Sequence, residues 1–101
     1  MGVRRMNEVI TLVKRSYGTP DQLRQVFCSL RSIGMREFYQ ASAADFHPEA
    51  KFVLADYLEY RGETLLIHGD AWYKILRTYR AGQELELVVE KASKEEASVR
   101  G

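Results

Sequence analysis

The side chains from which a catalytic or metal site could be built are few: Cys28, His47, His68, and the carboxylates Asp45 and Glu49 that bracket His47. A metal would need a further soft ligand at suitable spacing beside the two histidines, and none occurs. Asp45-Phe46-His47-Pro48-Glu49 has the residue types of an acid/base cluster, but it lies in a polar loop, where solvated charges are the default. His68 falls at a strand end beside a turn, where a solvated histidine is ordinary. Cys28 follows Val26 and Phe27, so burial as a small hydrophobe is favoured. As a nucleophile it would need one of the two histidines as its base. A lone thiol forms no internal disulfide and no cysteine zinc cluster. There is no Gly-rich phosphate loop and no nucleophile motif. The sequence therefore predicts no enzyme active site, no cofactor and no metal.

A second constellation is basic and aromatic. Lys74, Arg77 and Arg80 lie among Tyr73 and Tyr79, a combination that barrels of the OB type present to nucleic acid. The competing reading is cross-strand pairing with Glu84, Glu86 and Glu90 across the Ala81-Gly82-Gln83 turn, and adjacency favours it.

These residues must be positioned by short strands. Residues 8–14 are rich in β-branched side chains, with Val9, Thr11 and Val13 on one face. Strands are expected at 23–33, 51–57, 64–68, 71–80 and 84–90. In the second, Val26, Cys28 and Leu30 share a face. In the fifth, Tyr73, Ile75, Arg77 and Tyr79 share one face and Trp72, Lys74, Leu76 and Thr78 the other. The last alternates cleanly, with Leu85, Leu87 and Val89 inward. The expected core is Val26, Leu30, Tyr73, Ile75, Leu85, Leu87 and Val89. Gly69-Asp70 suits a tight hairpin. Between strands two and three, residues 34–44 show helical spacing, and Pro48 ends that pattern. Met35, Phe38 and Tyr39 either cover the core or form an assembly surface. Such a long insertion between strands tends to carry function. Six short strands with turns between them argue for a small antiparallel barrel with one short helix or loop insertion. The expected organisation is a flexible start at 1–6, a domain at 7–92 and a flexible tail at 93–101.

Composition sets the class. The chain has 101 residues, 46% hydrophobic and 29% charged, with net charge +1. That is one modest domain without global attraction to nucleic acid or anionic membrane. No apolar run reaches the ~20 residues that span a bilayer, so a soluble protein made in a cytosol is expected.

Over residues 7–92 the chain resembles the phage head-closure family, the head–tail connector or stopper proteins of long-tailed double-stranded DNA phages and prophages. The words that carry the resemblance are Val26-Phe27-Cys28-Ser29-Leu30-Arg31-Ser32-Ile33, Arg36-Glu37-Phe38-Tyr39-Gln40-Ala41, and Trp72-Tyr73-Lys74-Ile75-Leu76-Arg77-Thr78-Tyr79 followed by Gly82 and Glu84-Leu85-Glu86-Leu87. The linker at 16–23 is shorter than in the family pattern. The resemblance implies a small β-barrel whose copies form a ring, dodecameric in the family, at the virion head–tail junction. It lies beneath a portal or adaptor protein and above a tail-completion or tail protein, with packaged DNA in its channel. It further implies that the connection at 34–50 works as gate or assembly loop, with Arg36, Phe38, Tyr39, Asp45, Phe46 and His47 as its candidate residues. Arg31, Lys74, Arg77 and Arg80 are then candidates for contacts with subunits or partners. The rival reading is a small OB- or SH3-like barrel that binds nucleic acid.

Overall fold

A computed structural model describes residues 6–36, 43 and 46–100. Its strands are β1 (Glu8–Lys14), β2 (Gln22–Arg31), β3 (Ala50–Leu54), β4 (Leu65–His68), β5 (Ala71–Ala81) and β6 (Glu84–Lys91). They close an antiparallel barrel in the order β1-β2-β3-β6-β5-β4, so the expected fold class holds. Closure pairs Thr11–Val13 of β1 with Leu65–Ile67 of β4 and leaves no exposed strand edge.

Alternation puts Ile10, Leu12, Val26, Cys28, Phe52, Leu54, Leu66, Leu85, Leu87 and Val89 in one core cluster, with Tyr73 and Ile75 packed against it, partly buried. Leu30 is a correction. It lies opposite Phe52 in the register and so shares the inward face, yet it is 49% exposed. The penultimate residue of β2, it stands at the mouth of the barrel, where the phase is inward but the described residues leave it half uncovered. The β1 residues Ile10 and Leu12 are core as well. The odd positions Val9, Thr11 and Val13 form the outer face, because both faces of this strand are apolar and alternation alone does not choose between them.

The faces of β5 are a second correction. Ile75 pairs with Val89 but Arg77 pairs with Val88, so Leu76 is an extra residue, a β-bulge. Beyond it the phase inverts. Tyr73 and Ile75 point inward, while Arg77 and Tyr79 share the outer face with their partners Val88 and Glu86. The four do not share a face.

Strand three ends at Leu54, earlier than expected. Asp56 accepts a hydrogen bond from the Leu58 N–H at 2.9 Å and caps a 3-10 turn at Tyr57–Glu59. The hairpins after β4 and β5 turn on Gly69 (φ +61°) and Gly82 (φ +64°), a backbone region that favours glycine. Of the helix expected at 34–44, Met35, Arg36 and Ala43 are helical and most of the rest lies outside the described residues.

Cys28 is fully buried, and burial, then the charge of Glu8, push its thiol up to about 12. It is therefore expected to react with a thiol reagent in denaturant but hardly at all in the folded state. Rapid labelling of native protein would show that the barrel opens readily beside β2.

Candidate functional site

The barrel has two unlike ends. One gathers the loop between β1 and β2, the 3-10 turn and the β5–β6 hairpin, and it is sealed by polar contacts. Glu63 is buried there, 2.7 Å from the Arg24 guanidinium. The same guanidinium also donates to the Glu59 carbonyl. The Arg61 N–H donates to Glu63 at 2.7 Å, and the Tyr60 hydroxyl to the Glu63 carbonyl at 2.6 Å. Burial alone would raise the Glu63 carboxyl, but the N–H donors and Arg24 outweigh it and hold the carboxyl below the usual range. Gln83 donates to Asp56 at 2.9 Å and ties the hairpin to the 3-10 turn. Arg80 stacks on Tyr57, 3.5 Å from the ring centre, and donates to the Gly82 carbonyl.

The other end carries the connection between β2 and β3, the Gly69-Asp70 hairpin and the end of β6. Across its mouth His68 Nε2 and Glu8 Oε1 share a hydrogen bond of 2.8 Å, and the His68 and Phe52 rings pack edge to face with centres 5.2 Å apart. His68 is thus held in place, and the expectation of a merely solvated histidine is corrected. Around this mouth Leu30, Met35 and Phe46 are exposed apolar residues. The limb that returns to β3 is stapled to β6. The His47 N–H donates to Glu90 at 3.0 Å, the Glu49 N–H donates to the Val89 carbonyl at 2.8 Å, and Pro48 between them is buried.

Of the six residues expected in this loop, Arg36, Phe46 and His47 are described and exposed at this end. Phe38, Tyr39 and Asp45 lie outside the described residues. Of the four expected contact residues, Arg31, Lys74 and Arg77 share the outer face and Arg80 does not. Arg31 sits on the outer face, 3.4 Å from Glu86, which Lys51 reaches from the next strand, also at 3.4 Å. Arg77 is on that face, opposite Val88. Lys74 lies opposite Glu90 on the far side of the bulge. Arg80, turned inward by the bulge, belongs to the sealed end. Among the described residues no three of His, Cys, Asp and Glu gather as a metal site would require.

Sequence reading missed a third feature. The stretch after Ala92, expected as a tail, is tied to the barrel. Ser93 and Glu96 form a capping box: the Glu96 N–H donates to the Ser93 hydroxyl at 3.2 Å, and the Ser93 N–H to the Glu96 carboxylate at 2.9 Å. Farther on, Asp21 exchanges backbone and side-chain bonds with Arg100 and pairs with Arg15 at 2.7 Å. Arg15 also donates to the carbonyls of Glu96 and Ser98. Val13 and Leu65, on the outer face of β1 and β4, are buried. The signal was available in the spacing Ser-x-x-Glu.

The Arg15 hydrogen bond holds the Asp21 carboxyl below its usual range, and the bond with the Ser93 N–H does the same for Glu96. For Asp21, Glu63 and Glu96 alike the folded-state value is depressed. Their contribution to stability is complete above the unfolded values near about 4 and is lost as pH falls from there through the folded values. Urea midpoints should therefore fall as the pH is lowered below about 4, and Asp21→Asn should flatten part of that fall. An unchanged slope in the variant would remove Asp21 from the account.

Searched against protein-family models and curated proteins, the chain matches none.

Proposed function

We propose that this protein is a structural component of a phage head–tail connector. In this reading it forms a ring beneath the portal or adaptor, closes the DNA-filled capsid and offers the docking surface for the tail. The observation that carries the proposal is the asymmetry of the barrel. One end is closed by Arg24, Glu63, Asp56 and Gln83. The other releases the longest connection in the chain, residues 32–49, among the exposed apolar residues Leu30, Met35 and Phe46. Exposed apolar side chains beside so long a connection suit contact with another protein. The ordered sequence words described above supply the family.

The nucleic-acid-binding alternative is the weaker reading. Lys74, Arg77 and Tyr79 share the outer face, but Tyr73 and Arg80 point inward, Lys74 stands opposite Glu90, and Glu86 stands between Arg31 and Lys51. Few cations are left to neutralise successive phosphates on that face.

The test is genetic and structural. In a phage or prophage that encodes the chain, removing its gene is expected to yield heads that package DNA, leak it and join no tails, with recovery on complementation. Electron microscopy and infectious titre measure this. Normal tail joining and titre without the gene would refute the proposal.

A further inference from the structure

Beside the Gly69-Asp70 hairpin lies an open groove of about 490 Å³, lined by His68, Asp70, Trp72, Lys91, Lys94 and the small residues that follow β6, among others. Its construction is specific. The Ala92 N–H donates to the Trp72 carbonyl at 3.0 Å, so the chain leaving β6 runs beside the indole. Ala71, Ala92 and Ala97 along the wall have no side-chain bulk with which to cover the ring. The capping box of Ser93 and Glu96 fixes the turn that carries Lys94. Trp72 is half-buried, and Lys91 and Lys94 are exposed, with no ion pair recorded for either among the described residues. His68 Nε2 is bonded to Glu8, which fixes the ring at the edge of the groove. Among the lining residues the ammonium groups of Lys91 and Lys94 face the one carboxylate of Asp70, with Glu96 held back by the Ser93 N–H and Glu8 by His68.

A flat apolar wall with two amines at its rim matches a planar ring bearing an anion. We propose that the groove is a binding site for a nucleotide at the monophosphate level, with the base stacked on Trp72 and the phosphate between Lys91 and Lys94. Bases of any identity stack on an aromatic side chain, and amine–phosphate hydrogen bonds are charge-assisted. The volume falls within the range of small-ligand sites. The source is a free nucleotide or one residue of a single strand, and the chemistry is the same. This site is independent of the connector proposal and stands or falls without it.

Trp72 is the only tryptophan, so its indole N–H gives one resonance in a proton–nitrogen spectrum and reports on the groove alone. Titration of the whole chain with adenosine 5′-monophosphate at low salt is expected to move that resonance saturably. Adenosine should bind more weakly. Lys91→Gln with Lys94→Gln should weaken the monophosphate by about tenfold or more and leave adenosine unchanged. An octamer of deoxyadenylate that binds no tighter than the monophosphate points to the free nucleotide as the source; tighter binding points to a strand. The proposal is overturned if the indole resonance does not move, if adenosine binds as well as its monophosphate, or if the double variant binds as the wild type does.

Discussion

Phe52→Ala is expected to destabilise the barrel by about 3–5 kcal/mol. Phe52 is 1% exposed and joins three parts of the structure. It pairs with Leu30 of β2 and Leu87 of β6, meets Tyr73 with ring centres 6.0 Å apart, and packs edge to face with His68. Truncation leaves a cavity at the His68 end of the barrel and removes the surface against which His68 is set. A domain of this size has about 5–15 kcal/mol in total, so the variant should unfold at a much lower urea concentration than the wild type. A midpoint within error of the wild type would mean that the strands around Phe52 collapse into the space or that β3 is shifted by one residue.

Glu63→Ala should act at the opposite end, at about 3 kcal/mol, the low end of the range for removing one partner of a buried ion pair. The low end applies because Arg24 keeps 29% of its side chain in contact with solvent. The loss includes the acceptor of the Arg61 N–H and leaves the Arg24 guanidinium, among the described residues, with the Glu59 carbonyl alone. Glu63→Gln should lose less, since an amide oxygen still accepts one of these bonds. Equal losses in the two variants, measured by urea unfolding at neutral pH, would show that packing rather than the charge matters here.

The barrel itself was legible because β6 alternates from Glu84 to Glu90 with Val88 as the one exception, and because Gly69 and Gly82 mark two hairpins. The bulge at Leu76 was not legible. From Trp72 to Tyr79 large side chains occupy both phases, so either face could be inward, and no glycine marks the extra residue. Pairing with Val88 and Val89 decides it, and that is a long-range property of the sheet. The buried pair at Arg24 and Glu63 was half legible. Arg24 is in phase with Val26 and Cys28, which puts a cation on an inward face and asks for a partner. Its partner sits next to Gly62 in what reads as an ordinary turn. At the mouth, Glu8 is likewise in phase with Ile10 and Leu12, and only the folded register brings it to His68. The residues assigned to the gate, by contrast, came from resemblance more than from pattern, and three of the six lie outside the described residues.

The three-pair ladder between β1 and β4 also has a consequence for folding time. It joins Thr11 to Ile67, more than half the chain apart, whereas the β5–β6 hairpin forms across a two-residue turn. Local hairpins can assemble early, but this join must wait until the chain entropy of a very long loop has been overcome. The slow step should thus be the meeting of the first strand with the fourth. Substitutions at Val13 or Leu65 would then alter how long a newly made chain stays open, with its future interior exposed to its neighbours, more than changes in the last hairpin would.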